Sequence, residues 1–416
     1  MSVLALCGGD PVRTAPFPVW PSYSTPEEEE AVLEAVRSDH LCGAIGGTRI
    51  AEFEERFAAW CGAPDAVTCN SGSSALQVAL AALGVGPGDE VIVPVYTYYA
   101  SGTSVLMTGA IPIFADISEG ATNLDPDAFE AAITDRTKAV MVVHADGVPA
   151  DMAEICAIAK RHGVFVVEDC SHAHGATYRG TRTGMLGDAG AFSIQHKKIL
   201  SIGEGGVMVS KHKEVVDRAR SYVNLGGGTQ SGDLGPNLRM GEMQAALALV
   251  RMDRIDGENE KRRVNAHMLR RQVNDIPGLW PVPKSLPEGC EPVYYNFILA
   301  FEPSGCPVSR DRFSDAVKAE GVPLGLGFYT PLNQMPVFEQ QEAWPYRLAE
   351  NQAILERGLY GEGKCPVGEA FMAKGHLELK IHPPTGETEI QDAGEAIRKV
   401  VENVGDLTED GESNGR

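Results

Sequence analysis

The sequence predicts an α/β protein built on a mainly parallel sheet, on three observations. Between about Val67 and Val209, short apolar runs alternate with helical patterns. The runs are near-continuously apolar rather than alternating, as expected of strands covered by helices on both faces. Polar side chains gather where the runs end, the place where open α/β sheets bind ligands.

In chain order, the predicted strands are EVIVPVYTY from Glu90, IPIFADI from Ile111, KAVMVVHAD from Lys138, GVFVVEDC from Gly163, DAGAFSIQ from Asp188 and GVMVS from Gly206. SSALQVALAALG from Ser73 and ADMAEICAIAKRHG from Ala150 read as helices between them. A long helical region from Met240 to Val273 then carries the chain away, followed by shorter strands, prolines and a closing helix, QDAGEAIRKVVENV. The predicted boundary lies near Arg262. This gives a large domain over 1–262 with the N-terminal segment, a small domain over 263–405, and a polar, acidic, disordered tail over 406–416.

A length of 416 residues with 43% hydrophobic and 22% charged residues supports about two cores. The 36 basic residues against 57 acidic ones give a formal charge of −21, which repels nucleic acid and anionic lipid. The chain contains no apolar stretch long enough to span a bilayer and no leader-like N-terminus, so a cytoplasmic location is expected. Nine scattered cysteines without a CxxC pair read as reduced, mostly packing thiols.

Four segments carry possible chemistry. In GVFVVEDCSHAHG an apolar strand ends in Glu168 and Asp169; a carboxylate there can keep a pyridine nitrogen protonated, although strand-end acids also cap turns. In AFSIQHKKILSIGEGG, Lys197 and Lys198 precede a glycine-rich turn. A lysine that forms a Schiff base needs a partly desolvated site, whereas most lysine pairs are simply solvated. In CNSGSSALQVALAALG, Gly72, Ser73 and Ser74 open a helix whose N–H groups suit a phosphate, or else form an ordinary serine cap. VPVYTYYASG puts tyrosines past a strand end, where a ring can stack on a cofactor or pack in the core. His172 and His174 are spaced HxH without a third ligand, so no metal site is expected. The chain has no GxGxxG after a strand, GxxxxGK[ST], GxSxG or HExxH.

Read together with GGDPVRTAPFPVWPSY, EFEERFAAWCG, GVGPGDEVIVPVYTY and PNLRMGEMQAALALVRMDRID, these segments resemble the DegT-type sugar aminotransferases over roughly residues 8–260. The resemblance implies a pyridoxal-phosphate (PLP) enzyme of fold type I, aspartate-aminotransferase-like, with a large domain and a smaller C-terminal α+β domain. It implies Lys198 as the Schiff-base lysine, Asp169 on the pyridine nitrogen and His172 near the ring hydroxyl. Gly72, Ser73, Ser74 and Ser193 fall to the phosphate, Tyr98 stacks over the ring, and Asn237 reaches a phosphate across a homodimer interface. The opening LALCGGDPVRTAPFPVWP is most similar to scyllo-inosose and 2-deoxy-scyllo-inosose aminotransferases and to amino-hydroxybenzoate synthases. The implied reaction moves nitrogen from glutamine or glutamate, through pyridoxamine phosphate, to a keto-sugar or keto-cyclitol in secondary metabolism. The alternative is an aromatising lyase of the amino-hydroxybenzoate type, which keeps the lysine. Ser73, Ile194, Asn333, HADG at 144–147 and IHPP at 381–384 depart from the family pattern.

Overall fold

The structure, a computed structural model, describes residues 3–20, 24–43, 46–227, 233–302, 305–327 and 330–407. At its centre is a sheet of seven strands: β1 (Ala66–Cys69), β2 (Glu90–Pro94), β3 (Ile111–Ala115), β4 (Thr137–Val143), β5 (Phe165–Asp169), β6 (Ala189–Ser193) and β7 (Gly206–Val209). They lie in the order β1-β7-β6-β5-β4-β2-β3. β7 runs antiparallel to both its neighbours, and the other pairings are parallel.

Five of these strands lie within the predicted runs, β4 starts one residue before its run, at Thr137, and β1 adds an edge at the start of the alternating region. Alternate side chains of β7 leave the sheet in opposite directions: Met208 enters one apolar layer, while Val207 and Val209 enter the other with Phe53, Phe57 and Phe192. Both faces are therefore dry, which is why the strands carry so few polar residues. β2 is shorter than EVIVPVYTY suggested: pairing stops at Pro94, and Val95–Tyr98 turn into the ligand-binding end.

The helices covering the sheet include α1 (Pro26–Arg37), α2 (Arg49–Cys61), α3 (Gly72–Ala82), α4 (Ala100–Met107), α5 (Pro126–Ala132), α6 (Met152–His162) and α7 (Lys213–Val223). The acid-rich start of α1 is held by a capping box between Thr25 and Glu28. The predicted long helix is two, α8 (Glu242–Met252) and α9 (Ile255–Val273), joined through Asp253 and Arg254.

A second core forms around a three-stranded antiparallel sheet, β8 (Leu279–Val282), β9 (Phe297–Phe301) and β10 (His376–Leu379), with α10 (Arg310–Ala319) and α11 (Glu387–Glu402). The change of core occurs inside α9: Ile255 packs with the large sheet, whereas Ala266, Leu269 and Val273 pack with the small one.

Packing redraws the predicted domain limits in three places. Leu4 lies in the small domain's core, and Arg13 pairs with Glu389 at 2.9 Å and Asp392 at 2.7 Å, so the N-terminal segment straps the small domain. Leu332, Phe338, Tyr346, Ile354, Cys365 and Met372 return to the large domain's core. Val404–Leu407 forms a turn with Leu407 buried, two residues into the predicted tail; residues 408–416 lie outside the described residues. All nine cysteines are free, and no helix among the described residues is long and apolar enough to cross a membrane.

Candidate active site

The carboxyl ends of the parallel strands open into a cavity of about 630 Å³, large enough for a cofactor with a small substrate. Asp169 closes β5 and is 4% exposed. Its Oδ2 accepts from Ser101 Oγ at 2.9 Å and its Oδ1 from the Ser171 N–H at 3.0 Å. Two donors hold this carboxylate in one orientation, with its charge directed into the cavity.

Lys198 follows β6 in a loop folded on itself. The Lys198 N–H donates to Gln195 O at 2.8 Å, the His196 N–H to Gly203 O at 2.7 Å and the Ile194 N–H to Gly205 O at 3.0 Å. Gly203 sits at φ 98°, a conformation a side chain would strain. The loop delivers Lys198 Nζ to a point 5.0 Å from the centroid of the Tyr295 ring. Burial pushes the Lys198 ammonium down to about 8; the Asp169 charge opposes this shift and Lys380 adds to it. A substantial neutral fraction near neutrality is what a nucleophilic or proton-accepting amine requires.

The start of α3 faces this lysine. Ser71 caps it, accepting from the Ser74 N–H at 3.1 Å, and the first intrahelical bond runs from the Ala75 N–H to Ser71 O. The N–H groups of Gly72 and Ser73 precede that bond and open onto the cavity. A Cβ on Gly72 would lie 2.3 Å from Ser193 Cβ, so only glycine leaves the concavity between them. Ser74 differs from expectation: its hydroxyl donates to Asn70 Oδ1 at 2.7 Å inside the cap, and it does not line the cavity.

His172 stacks on Tyr295 with ring centroids 4.0 Å apart, and its Nδ1 is buried without a hydrogen-bond partner in the chain. Burial holds its imidazole neutral, well below the usual range. Tyr98 and Tyr99 line the mouth with rings 4.4 Å apart, and Tyr98 is 49% exposed. Asn237 is brought into the site of its own chain neither by the fold nor by a contact; it is exposed, bridged to Asn224, and accepts from the Arg239 N–H at 3.4 Å.

Glu168, next to Asp169, has a different task. It is fully buried and accepts from Gly184, Leu186 and Gly187 N–H groups at 2.7–2.8 Å. The Ala150 N–H donates to His144 Nδ1, so Nε2 carries the proton and donates to Glu168 Oε2 at 2.9 Å. His144, Glu168 and Cys170 are close enough to ligate a metal, but the imidazole and carboxylate already have these partners. This network supports the turn under the site.

The small domain supplies residues that no sequence pattern singled out: Tyr295, Asn296, Glu378 and Lys380 all line the cavity. A faint pointer was HADG, whose Asp146 sits beneath them at φ 57°. IHPP contributes His382, stacked on Trp20 at 3.6 Å, while Asn333 is structural, donating to Gly361 O and Glu369 Oε1.

This arrangement can be compared with known proteins. A family model described as the DegT/DnrJ/EryC1/StrS aminotransferase family matches residues 23–398. The L-glutamine:2-deoxy-scyllo-inosose aminotransferase of Streptomyces fradiae is 38% identical over 435 residues, covering 98% of this chain and 99% of its own. Among solved structures, S. venezuelae DesV in complex with ketimine intermediate is 34% identical with a TM-score of 0.80, over 90% of this chain and 94% of that one. The 3-amino-5-hydroxybenzoic acid (AHBA) synthase is 28% identical with a TM-score of 0.81, over 94% and 100%. With the family pattern running through both domains and the sheet order that delivers Asp169 and Lys198 to one cavity, the chain belongs to the DegT/DnrJ/EryC1/StrS aminotransferase family and has the fold type I architecture.

Proposed function

We propose that this aminotransferase binds pyridoxal phosphate at Lys198 and moves an amino group from L-glutamine or L-glutamate to a keto-cyclitol or keto-sugar of an aminoglycoside-type pathway. The observation that carries the reading is the meeting of Lys198, Asp169 and the Gly72–Ser193 concavity in one cavity. Three features fit the cofactor: space and unpaired N–H groups for a phosphate at α3, a fixed carboxylate for a ring nitrogen, and an orphaned His172 Nδ1 beside Tyr295. The names of relatives, such as the S. fradiae enzyme, support the choice of donor and acceptor.

When bound, the cofactor supplies an electron sink for the carbanion formed at the amino-bearing carbon. Asp169 pairs with the ring nitrogen and keeps it protonated. Gly72, Ser73 and Ser193 hold the phosphate, and Tyr98 covers one side. Lys198 Nζ, kept partly neutral by burial, takes the proton from the donor's α-carbon and later delivers one to the carbon that receives nitrogen. Asn237 lies away from its own cavity, and we assign it to the phosphate site of a second copy in a homodimer.

An absorption spectrum with and without amino donor tests the reading. Wild type should show a visible cofactor band that glutamine or glutamate bleaches, and Lys198→Ala should not. A protein that binds no cofactor would overturn it. A band insensitive to amino donors, with loss of water from a cyclic ketone, would favour a lyase like the AHBA synthase that shares this fold.

A further inference from the structure

We propose that Lys380 is the residue that receives the α-carboxylate of the amino-acid donor, aimed into the cavity by Asn296 and Asp146. The inference rests on the transamination reading, since it takes its ligand from that reaction.

Lys380 follows β10, and its Nζ lies 4.3 Å from the centroid of the Tyr295 ring, the same ring that Lys198 approaches at 5.0 Å. One ring thus organises two ammonium groups at the reacting centre. Lys380 Nζ donates to Asn296 Oδ1. Asn296 Nδ2 donates in turn to Asp146 Oδ1 at 2.7 Å, which fixes the amide so that its carbonyl must face the lysine. Asp146 is itself held, accepting from Tyr96 OH at 3.1 Å through Oδ2 and from the Asn296 N–H at 3.3 Å through its carbonyl.

Burial works against the Lys380 ammonium, while the charges of Glu378 and of Asp146 at the end of the relay favour it, so the relay positions the cation without giving it a direct carboxylate contact. Among the described residues Lys380 forms no direct ion pair, and Glu378, the strongest acting countercharge, lines the same cavity open to an incoming anion. Withdrawing an ammonium from water is costly unless an anion meets it, and Lys380 keeps N–H donors beyond the one given to Asn296. Among the described residues no arginine lines the cavity, Lys198 is committed to the chemistry, and Lys197 is exposed, where solvent screens its charge. A cyclitol or neutral keto-sugar brings hydroxyls; the amino-acid donor brings a carboxylate.

The test uses glutaramate, the glutamine skeleton without its α-amino group, which binds but cannot react. Its dissociation constant is measured by calorimetry on the cofactor-loaded enzyme. Losing a charge-assisted hydrogen bond, Lys380→Gln should bind it at least about ten-fold more weakly, and Lys380→Arg should recover much of that loss. Glutaramide, the uncharged diamide, should bind wild type and Lys380→Gln alike. Asn296→Ala, which keeps the lysine and loosens it, should weaken glutaramate several-fold. Equal glutaramate affinity in wild type and Lys380→Gln would overturn the assignment, as would a parallel loss for the diamide. If the variant instead impaired only an acceptor bearing a carboxylate, the donor assignment would fall. A wild type that binds glutaramate through Lys380 but takes nitrogen from no amino acid would sustain the carboxylate site and sink the transamination reading, so the two fail separately.

Discussion

Lys198→Met removes a cation that folding strips of part of its water, so the cofactor-free protein should gain stability where the wild-type lysine is charged. Burial moves Lys198 from 10.5 to about 8, a value that already includes the attraction of Asp169. Full conversion corresponds to about 3 kcal/mol, and solvent contact at this half-buried side chain reduces the expectation to about 1–2 kcal/mol. Between about pH 8 and 10.5 the unfolded chain holds a proton that the folded chain has released, so this group's contribution to stability rises with pH through that window. The variant should therefore be the more stable protein near pH 7 and approach wild type near pH 10, measured by urea unfolding. In parallel, an amine-acylating reagent should modify Lys198 with a midpoint of about 8. At about pH 7.5 roughly a quarter of the lysine is then neutral, against about one part in a thousand for an ordinary lysine. A midpoint near 10.5, or a variant no more stable than wild type near pH 7, would refute the link from burial to an activated amine.

Gly72→Ala places a methyl group 2.3 Å from Ser193 Cβ and should raise the cofactor's dissociation constant about ten-fold or more, read by equilibrium titration, whereas Ser73→Ala should cost less. Glu168→Gln turns an amide N–H₂ toward donors that a carboxylate now satisfies, and should destabilise the fold by about 2–4 kcal/mol in denaturant unfolding. Burial raises Asp146 from 3.8 to about 6, so between these values the folded chain holds a proton that the unfolded chain lacks. Wild-type stability from this group falls as pH rises through that window, and Asp146→Asn should flatten the slope. Mixed dimers of Lys198→Ala and Asn237→Ala subunits should regain activity that neither homodimer has in full; no recovery on mixing would sink the assignment of Asn237 to a partner's site.

Much of the fold and part of the site are legible along the chain because local physics decides them. Parallel strands buried on both faces must be almost wholly apolar, so the runs from Glu90, Ile111, Lys138, Gly163, Asp188 and Gly206 stand out without any partner in view. The acid at the end of GVFVVED and the lysine before a glycine turn occupy places where sheet geometry puts ligands. Other features have no local signature. Ser74 serves the cap because Asn70 lies one turn behind its hydroxyl, a choice that the repeated serines do not reveal.

The sequence alone therefore determined the layered α/β architecture and the family, and it singled out Lys198 and Asp169, which the fold brings to one cavity. Tertiary structure decided which side chains join them. The segment 332–372 returns to the large domain, Leu4 and Arg13 strap the small one, and Tyr295, Asn296 and Lys380 complete the cavity from more than ninety positions away along the chain. The physical reason is that periodicity records only whether a side chain is buried, whereas a shared ring or a relay such as Lys380–Asn296–Asp146 exists only once distant strands have been set side by side.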